Sequence, residues 1–207
     1  MGEDPIMFIF TIAVLIMSVV AHEVSHGYAA DRLGDPTARF AGRLTLNPIA
    51  HLDMVGSFLV PTLMFFFGGF IFWWAKPVPY NPYNMRNPRW GGAMVAVAGP
   101  LTNLLIAIVF GLLIRFASVL GLPPETLPVA YLIVVLNLIL AVFNLVPIPP
   151  LDGSKVLFTL LPHHLYYIQE FLERYSIVIL LLLIFFLWRF IFPIISVLFS
   201  FITGLGL

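Results

Sequence analysis

Long apolar stretches separated by short polar ones dominate the pattern of residues along this chain. Three of the apolar stretches contain the roughly 20 residues that a helix needs to cross a bilayer, namely residues 6–30, 92–116 and 128–146. Backbone polar groups find no water in hydrocarbon, so each stretch is predicted to be a spanning helix. Residues 175–207 are also apolar, but Arg189 and Pro193 interrupt them, and we expect one span plus an interfacial or half-spanning piece.

The apolar stretch at 56–74 differs from the others because Pro61 and Gly68-Gly69 interrupt it. Lys and Arg collect in three polar stretches, whereas the link 117–127 contains neither; the three stretches are 31–54, 76–89 and 155–174. Cytoplasmic loops carry an excess of these residues, so the three stretches are expected to face the cytoplasm and the N-terminus to face outside. Both ends of 56–74 then lie on one side, which predicts a re-entrant hairpin. A conventional span stays open if one loop is misplaced.

The polar stretch at 34–54 has a pattern of its own. Apolar and polar residues alternate from Phe40 to Leu46, and Asn47-Pro48 ends the alternation, which predicts short strands or a hairpin. The whole pattern predicts an all-α polytopic membrane protein with about four to five spanning helices, a re-entrant segment and a short β-hairpin-like cytoplasmic loop. The sequence contains no repeat and no low-complexity segment, so residues 1–207 are predicted to form a single domain.

Composition supports the membrane assignment. Hydrophobic residues make up 61% of the 207 residues and charged residues only 10%, and a soluble domain of this size would leave too much apolar surface in water. We therefore expect an integral membrane protein surrounded by the lipid bilayer. The formal net charge is zero and no basic run is present, which excludes nucleic acid as a partner. The chain has no cysteine, which excludes disulfides and every cysteine-based metal site or nucleophile.

Residues 22–26 read His-Glu-Val-Ser-His, a pattern known from zinc proteases. Residues four apart on a helix share one face, so His22 and His26 can bind the same cation. Glu23 then lies beside the open coordination position of the metal, where a water molecule sits. A histidine in a membrane helix is also often a hydrogen-bonded packing residue. However, the 16 residues at 6–21, almost all of them apolar, place the motif roughly 24 Å into the membrane, where ionisable groups are costly unless they are paired or bind a metal.

A catalytic zinc usually has three protein ligands and an open site, so a third ligand is needed at the same depth. Asp152 follows a spanning helix at its cytoplasmic end, the same end as both histidines, and prolines and Gly153 surround it. Prolines stiffen a non-helical backbone and glycine permits an unusual turn, which would fix a carboxylate at this depth. The other acidic candidates are expected to cap a helix, to lie too shallow or to belong to a solvated face: Asp31, Asp35, Asp53, Glu170 and Glu173. One zinc ion is therefore predicted to be held by His22, His26 and Asp152.

Three segments resemble the site-2 protease family of intramembrane zinc metalloproteases, and they follow the order of that family. They are HEVSH at 22–26, AGPLTN at 98–103 and NLVPIPPLDG at 144–153. The segment at 42–53 is similar to a bacterial subgroup of short members, and the chain is expected to lack the additional N-terminal helix and the PDZ domain of larger relatives. The resemblance implies a prokaryotic cell-membrane protein, and the distribution of Lys and Arg predicts that its active site lies toward the cytoplasm. Its substrates are expected to be membrane proteins, cut in or near their transmembrane segments.

The same resemblance implies roles for individual residues. Glu23 is expected to act as general base, taking a proton from the attacking water and passing it to the leaving amide nitrogen. Asn144 resembles the substrate-contacting asparagine of the family and Asn103 a second polar position that faces the site, so both are predicted to bind substrate. Interhelical hydrogen bonding is the alternative role for both. An unwound substrate segment is expected to pair with the predicted strand at 39–46.

Two other functions fit parts of the pattern, and the oligomeric state stays open. A zinc transporter or sensor would use both histidines and Asp152 but would not need Glu23. A membrane-embedded metalloprotease that cuts soluble peptides would draw a zinc ligand from a downstream glutamate, for which Glu170 and Glu173 are the candidates.

Overall fold

The computed structural model describes residues 5–51 and 77–207 of the chain. These residues form the helices α1 Pro5–Arg32, α2 Thr37–Phe40, α3 Pro88–Arg115, α4 Ala117–Leu120, α5 Leu127–Asn144, α6 Asp152–Leu160, α7 Tyr166–Arg174 and α8 Ser176–Thr203. Single 3₁₀ turns lie at Pro48–His51, Pro82–Asn84, Pro124–Thr126 and His163–Leu165. The segment 56–74, for which a re-entrant hairpin is predicted, and Asp53 lie outside the described residues.

The three helices predicted to span the membrane are present as α1, α3 and α5, and each is long and apolar enough to do so. Many large apolar side chains on their surfaces are exposed, among them Ile9, Leu105 and Val109. A surface of this kind suits lipid rather than water. The chain is therefore an integral membrane protein.

The C-terminal apolar stretch forms a single helix, α8, rather than the two pieces expected from its sequence. The helix has 28 residues and continues through Pro193. A proline is tolerated inside such a helix when neighbouring helices and local adjustments satisfy the freed backbone groups. The residues after Pro193 pack closely against α3 and α5, and Ile195 and Phe199 are almost completely buried there.

The long helices alternate in direction, so each end of the bundle collects the ends of several helices. At one end, the Arg86 N–H donates to the Leu33 carbonyl just after α1 (3.1 Å), and the Arg89 side chain at the start of α3 donates to the Thr159 carbonyl of α6 (3.0 Å). At the other end, Arg115 donates to a carbonyl near the end of α8. Helix α3 lies at the centre and contacts α1, α5, α6 and α8.

The predicted β-hairpin-like loop is wrong for residues 39–46, because no strand occurs in the described parts of the chain. The segment starts inside the short helix α2 and continues in turns. Asp35 accepts hydrogen bonds from the N–H (3.2 Å) and the hydroxyl (2.5 Å) of Thr37, which stabilise the turn that precedes α2. The Arg43 guanidinium donates to the Ala50 carbonyl, so a side chain supplies a partner that a neighbouring strand would otherwise provide.

Buried apolar side chains of α3, α5 and α8 form one cluster, which we call the apolar cluster. It consists of Ala107, Ile114, Val134, Leu138, Ile191, Ile195, Phe199 and Ile202. Because lipid is as apolar as these side chains, close packing rather than the hydrophobic effect holds helices together there. The cluster fixes how α3 and α5 lie side by side and thereby positions the polar residues that both helices carry nearer α1.

Candidate metal centre

Helix α1 carries the two predicted histidine ligands on one buried face. His22 and His26 are four residues apart, both are buried, and their rings meet edge to face with centroids 4.7 Å apart. Glu23, half-buried, follows His22, and a potential ligand atom from each of the three side chains lies within 4.8 Å of the others. The helix therefore brings the three residues of the motif to one place.

The chain delivers Asp152 to the same place from the far side of the bundle. Asp152 is the first residue of α6 and is buried. Its Oδ2 lies 3.0 Å from Nε2 of His22 and 3.1 Å from Nε2 of His26. The structure thus brings together all three residues predicted to hold the metal, across 130 residues of sequence.

Gly153 is needed here for space. A Cβ at this position would overlap the backbone carbonyls of Leu145 and Val146 at the end of α5. Gly153 lies within helix α6 and is not among the glycines with positive φ, so the unusual turn expected from the sequence is absent. The close approach lets α6 begin against the end of α5 with Asp152 facing α1.

Hydrogen bonds on the far side of each ring leave both Nε2 atoms available. Nδ1 of His22 donates to Oδ1 of Asn103 (2.5 Å), and Nδ1 of His26 donates to the Val95 carbonyl (2.7 Å). A histidine that donates from Nδ1 in this way presents the Nε2 lone pair to a metal. Two imidazole nitrogens and one carboxylate oxygen form the donor set of a common catalytic zinc site. The residues present therefore fit the metal.

Glu23 has a contact of its own outside the ligand set. Its Oε2 accepts a hydrogen bond from the backbone N–H of Val78 (3.1 Å). Val78 is buried, and a Cβ on Gly27 would lie 2.9 Å from its Cγ1, so Gly27 leaves room for the segment to lie against α1. The backbone of the 77–80 segment therefore restrains the carboxylate that is predicted to act as the base.

A cavity of about 180 Å³ adjoins this cluster. Its walls consist of His22, Glu23, His26, Pro77, Val78, Tyr80, Asn144, Pro150, Asp152 and Lys155. Lys155 donates to Oδ1 of Asp152 (3.1 Å) and lies over the Tyr80 ring, with Nζ 5.6 Å from the ring centroid. The ammonium group thus satisfies the carboxylate oxygen that does not face the histidines.

The two asparagines predicted to bind substrate occupy different environments. Asn144 lines the cavity and is half-buried, and its Nδ2 donates to the Leu140 carbonyl one turn earlier (2.9 Å). Asn103 is completely buried and hydrogen-bonds His22, Ser18 and Asn137. Sequence reasoning missed Ser18 and Asn137. A signal was available for Asn137, because it is an amide in the middle of the apolar run of α5, where a polar side chain requires a partner.

The other acidic candidates lie away from the cluster where the structure describes them. Asp31 pairs with Arg39, and Glu170 pairs with Arg174 (2.8 Å) on the exposed surface of α7. Glu173 is also exposed and accepts a hydrogen bond from Gln169 (2.9 Å). Neither glutamate lines the cavity, so the structure offers no support for a zinc ligand from α7.

Asp35 anchors the loop that follows α1 to the segment that precedes α3. Besides its bonds with Thr37, it accepts hydrogen bonds from the Asn81 N–H (2.5 Å) and from Nδ2 of Asn84 (2.8 Å). Burial raises the pKa of Asp35, but the hydrogen bonds from these three residues outweigh it and hold the pKa below its ordinary value. Asp35 therefore supports the 77–84 segment, which includes Val78.

Comparisons with known proteins agree with this arrangement. The family model described as peptidase family M50 matches residues 10–125 and 121–187. The chain is 37% identical over 180 residues to "Putative zinc metalloprotease YwhC" of Bacillus subtilis, an alignment that covers 84% of this chain and 79% of that protein. It is 32% identical to "Putative zinc metalloprotease Rip2" of Mycolicibacterium smegmatis, covering 73% of this chain and 57% of the relative, and 32% identical to "Putative zinc metalloprotease MJ0611" of Methanocaldococcus jannaschii, covering 72% of each. No solved structure matches the chain.

Proposed function

The chain belongs to peptidase family M50, the site-2 protease family, and is a zinc metalloprotease. We propose that it is an intramembrane endopeptidase, which hydrolyses peptide bonds in or near transmembrane segments of membrane-protein substrates. The observation that carries this proposal is the contact of Oδ2 of Asp152 with Nε2 of both His22 and His26. These three residues, which all line the cavity, would hold one zinc ion.

Zinc supplies two effects when bound: it makes water acidic enough to lose a proton near neutral pH, and it polarises the scissile carbonyl. The chain supplies the proton transfer. Glu23 takes a proton from the attacking water as the water oxygen bonds to the carbonyl carbon, and it gives the proton to the amide nitrogen as the C–N bond breaks. The Val78 N–H binds Oε2 of Glu23, which leaves Oε1 for this transfer. No serine or cysteine nucleophile takes part.

The depth of the site supports a substrate within the membrane. His22 lies ten residues before the end of α1 at Arg32, which corresponds to about 15 Å along the helix axis. A single-span substrate would have to unwind locally to enter, because a helix shields its own carbonyls. Asn144, whose amide lies in the cavity wall, is the residue we assign to the substrate backbone.

The membrane arrangement follows from the alternating helices. We propose α8 as a fourth span and the segment 56–74 as a re-entrant element, with the metal centre toward the cytoplasm. Lys and Arg are concentrated in the polar stretches at the end of the bundle where α1 ends and α3 begins, which supports this orientation. The proposed host is a prokaryotic cell membrane.

The test is a cleavage assay on purified protein in detergent, with a panel of single-span substrates and soluble peptides of the same sequence. Glu23→Gln is expected to lower the cleavage rate about 1,000-fold, because it removes the general base, and to retain one zinc per chain. Glu173→Gln on exposed α7 is the matched control and should cleave normally. A chelator should abolish cleavage by the unchanged chain.

Other results would contradict parts of the proposal. Normal cleavage by Glu23→Gln would exclude this residue as the base. The zinc-transporter function would be favoured by two results together. Vesicles that contain the Glu23→Gln variant would still transport zinc, and the wild-type protein would cleave no substrate. Cleavage of soluble peptides alone would contradict an intramembrane substrate.

A further inference from the structure

Three polar side chains from three different helices meet on the side of His22 that faces away from the cavity. Ser18 of α1, Asn103 of α3 and Asn137 of α5 are 5%, 0% and 0% exposed, respectively. We call them the asparagine cluster. Their position inside a membrane bundle makes each of their hydrogen bonds consequential, because water is not available to replace a lost partner.

The hydrogen bonds of the cluster determine which way each amide points. Nδ2 of Asn103 donates to the Ser18 carbonyl (3.2 Å) and to Oδ1 of Asn137 (2.8 Å). Nδ2 of Asn137 donates to Oγ of Ser18 (2.9 Å) and to the Ile133 carbonyl (2.9 Å). Both amide groups thus use both of their N–H bonds, and neither can flip without placing its Oδ1 against a backbone carbonyl oxygen. Oδ1 of Asn103 is therefore fixed toward Nδ1 of His22.

This fixed oxygen controls the tautomer of His22. An acceptor at Nδ1 requires the proton to be on Nδ1, so the neutral ring keeps its Nε2 lone pair for a metal that Asp152 would share. His26 provides a comparison within the same site, because its Nδ1 donates to a backbone carbonyl, that of Val95. The ring of His22 is thus oriented by side chains, which mutation can change, whereas the ring of His26 is oriented by a backbone carbonyl.

We propose that Asn137 is a positioning residue for His22. It acts through Asn103, whose amide it orients, and it is distant in sequence from every residue of the motif. The inference rests on the proposed function, since it concerns the metal affinity of a site in which His22 is a ligand. The competing view is that the cluster only holds α1, α3 and α5 together.

The experiment measures zinc affinity by chelator competition and the thermal midpoint of the same purified proteins. Asn137→Leu keeps the size of the side chain but removes its polar atoms. We expect it to weaken zinc binding about 10-fold or more, because the loss of hydrogen bonds that orient metal ligands typically has an effect of this size. Asn137→Asp, in its protonated form, keeps an acceptor toward Asn103 and an O–H donor toward Ser18 or the Ile133 carbonyl, and should recover most of the affinity. If Asn137→Leu does not fold, Ser18→Ala takes its place in the test; it removes the hydroxyl that accepts from Nδ2 of Asn137 and should weaken zinc binding by a smaller factor.

A matched control separates positioning from helix packing. Thr203 of α8 is also buried, and its hydroxyl donates to the Phe199 carbonyl (2.8 Å) and accepts from the Leu205 N–H (3.1 Å), away from the site. Thr203→Val should leave zinc affinity unchanged whatever it does to the thermal midpoint. The proposal is overturned if Asn137→Leu binds zinc as tightly as the unchanged chain, or if the Asp variant is as weak as the Leu variant.

His22→Ala distinguishes failure of this inference from failure of the proposed function. If His22→Ala binds zinc as tightly as the unchanged chain, the ligand set is wrong and both ideas fall. If His22→Ala loses zinc but Asn137→Leu does not, the ligand set stands and the positioning role of Asn137 is rejected.

Discussion

The two halves of the helix bundle share helices α3 and α5 but are held together by different interactions. In the half nearer the end of α1, buried polar groups meet through directed contacts: Ser18, His22, His26, Asn103, Asn137 and Asp152. We call this the polar half. In the other half, α3, α5 and α8 meet through the apolar cluster. A hydrogen bond needs one partner in one orientation, whereas an apolar contact tolerates many shapes. Substitutions should therefore have sharp effects in the polar half and graded effects in the apolar one.

Helix α3 shows the contrast along a single face. Its residues at intervals of four are Gly99, Asn103, Ala107 and Gly111, and all four are buried. Gly99 admits the imidazole rings of α1, and Gly111 admits Ile202 of α8. Small residues let helix backbones approach closely in membranes. A glycine on the same face of α3 thus makes room for the metal centre at one end of the bundle and for close packing against α8 at the other.

The largest difference is expected between Gly99→Ala and Gly111→Ala. A Cβ at Gly99 would lie 2.5 Å from Nε2 of His22 and 2.6 Å from Cε1 of His26. Both are ring atoms on short side chains, so the rings must move. Zinc affinity should fall about 100-fold, with a matching loss of cleavage at limiting zinc. Chelator competition and the cleavage assay measure these losses.

Gly111→Ala is the matched variant in the apolar half. Its Cβ would overlap a methyl group of Ile202, which can change rotamer, and the next atoms are 3.5 Å away. Overpacking of this kind costs about 1–3 kcal/mol of stability, and activity per folded molecule should stay normal. Equal zinc affinity in both alanine variants would contradict the division into two halves.

The second largest effect is expected from loss of the backbone hydrogen bond between the Val78 N–H and Glu23 in the polar half. Val78 lies between Pro77 and Pro79, so Val78→Pro extends an existing proline run. The substitution removes the backbone N–H that binds Glu23 and also some side-chain packing. A hydrogen bond to a charged group is worth about 1.5–3 kcal/mol, so the turnover number should fall about 10- to 100-fold, with zinc content unchanged. Val78→Ala keeps the N–H and controls for the packing. If both variants lose turnover equally, the N–H has no role.

The sequence predicted much of the polar half because its signals are local or unusual. His22, Glu23 and His26 lie within one helical turn, and Asp152 stands among prolines at a helix end. The apolar runs likewise predicted α1, α3 and α5 with ends within a few residues of those observed. Charged or amide groups in such runs are few, so each one is informative.

Other features depend on contacts that no local pattern specifies. The joining of Ser18 to Asn137 spans 119 residues, and only the packing of α1 against α5 reveals it. The alternation at 39–46 resembled a strand, but the segment begins inside the short helix α2 and continues in turns. Gly153 suggested a turn, whereas its role is to let α6 approach α5. In each case contacts with distant parts of the chain, rather than the local sequence pattern, determined the structure that forms.

The smallest effect is expected at Asp35, whose hydrogen bonds hold the 77–84 segment, which includes Val78, against the loop that follows α1. Because the pKa of Asp35 is lowered in the folded protein, its charged form contributes stability above the unfolded pKa of about 4, and this contribution is lost as pH falls through the folded pKa. Asp35→Asn keeps the size but not the charge, and should lower the thermal midpoint at pH 7 by roughly 3–10 °C. The difference between the variant and the unchanged chain should shrink as pH falls below about 4. A difference that is constant down to pH 3 would show that shape, rather than charge, holds the 77–84 segment in place.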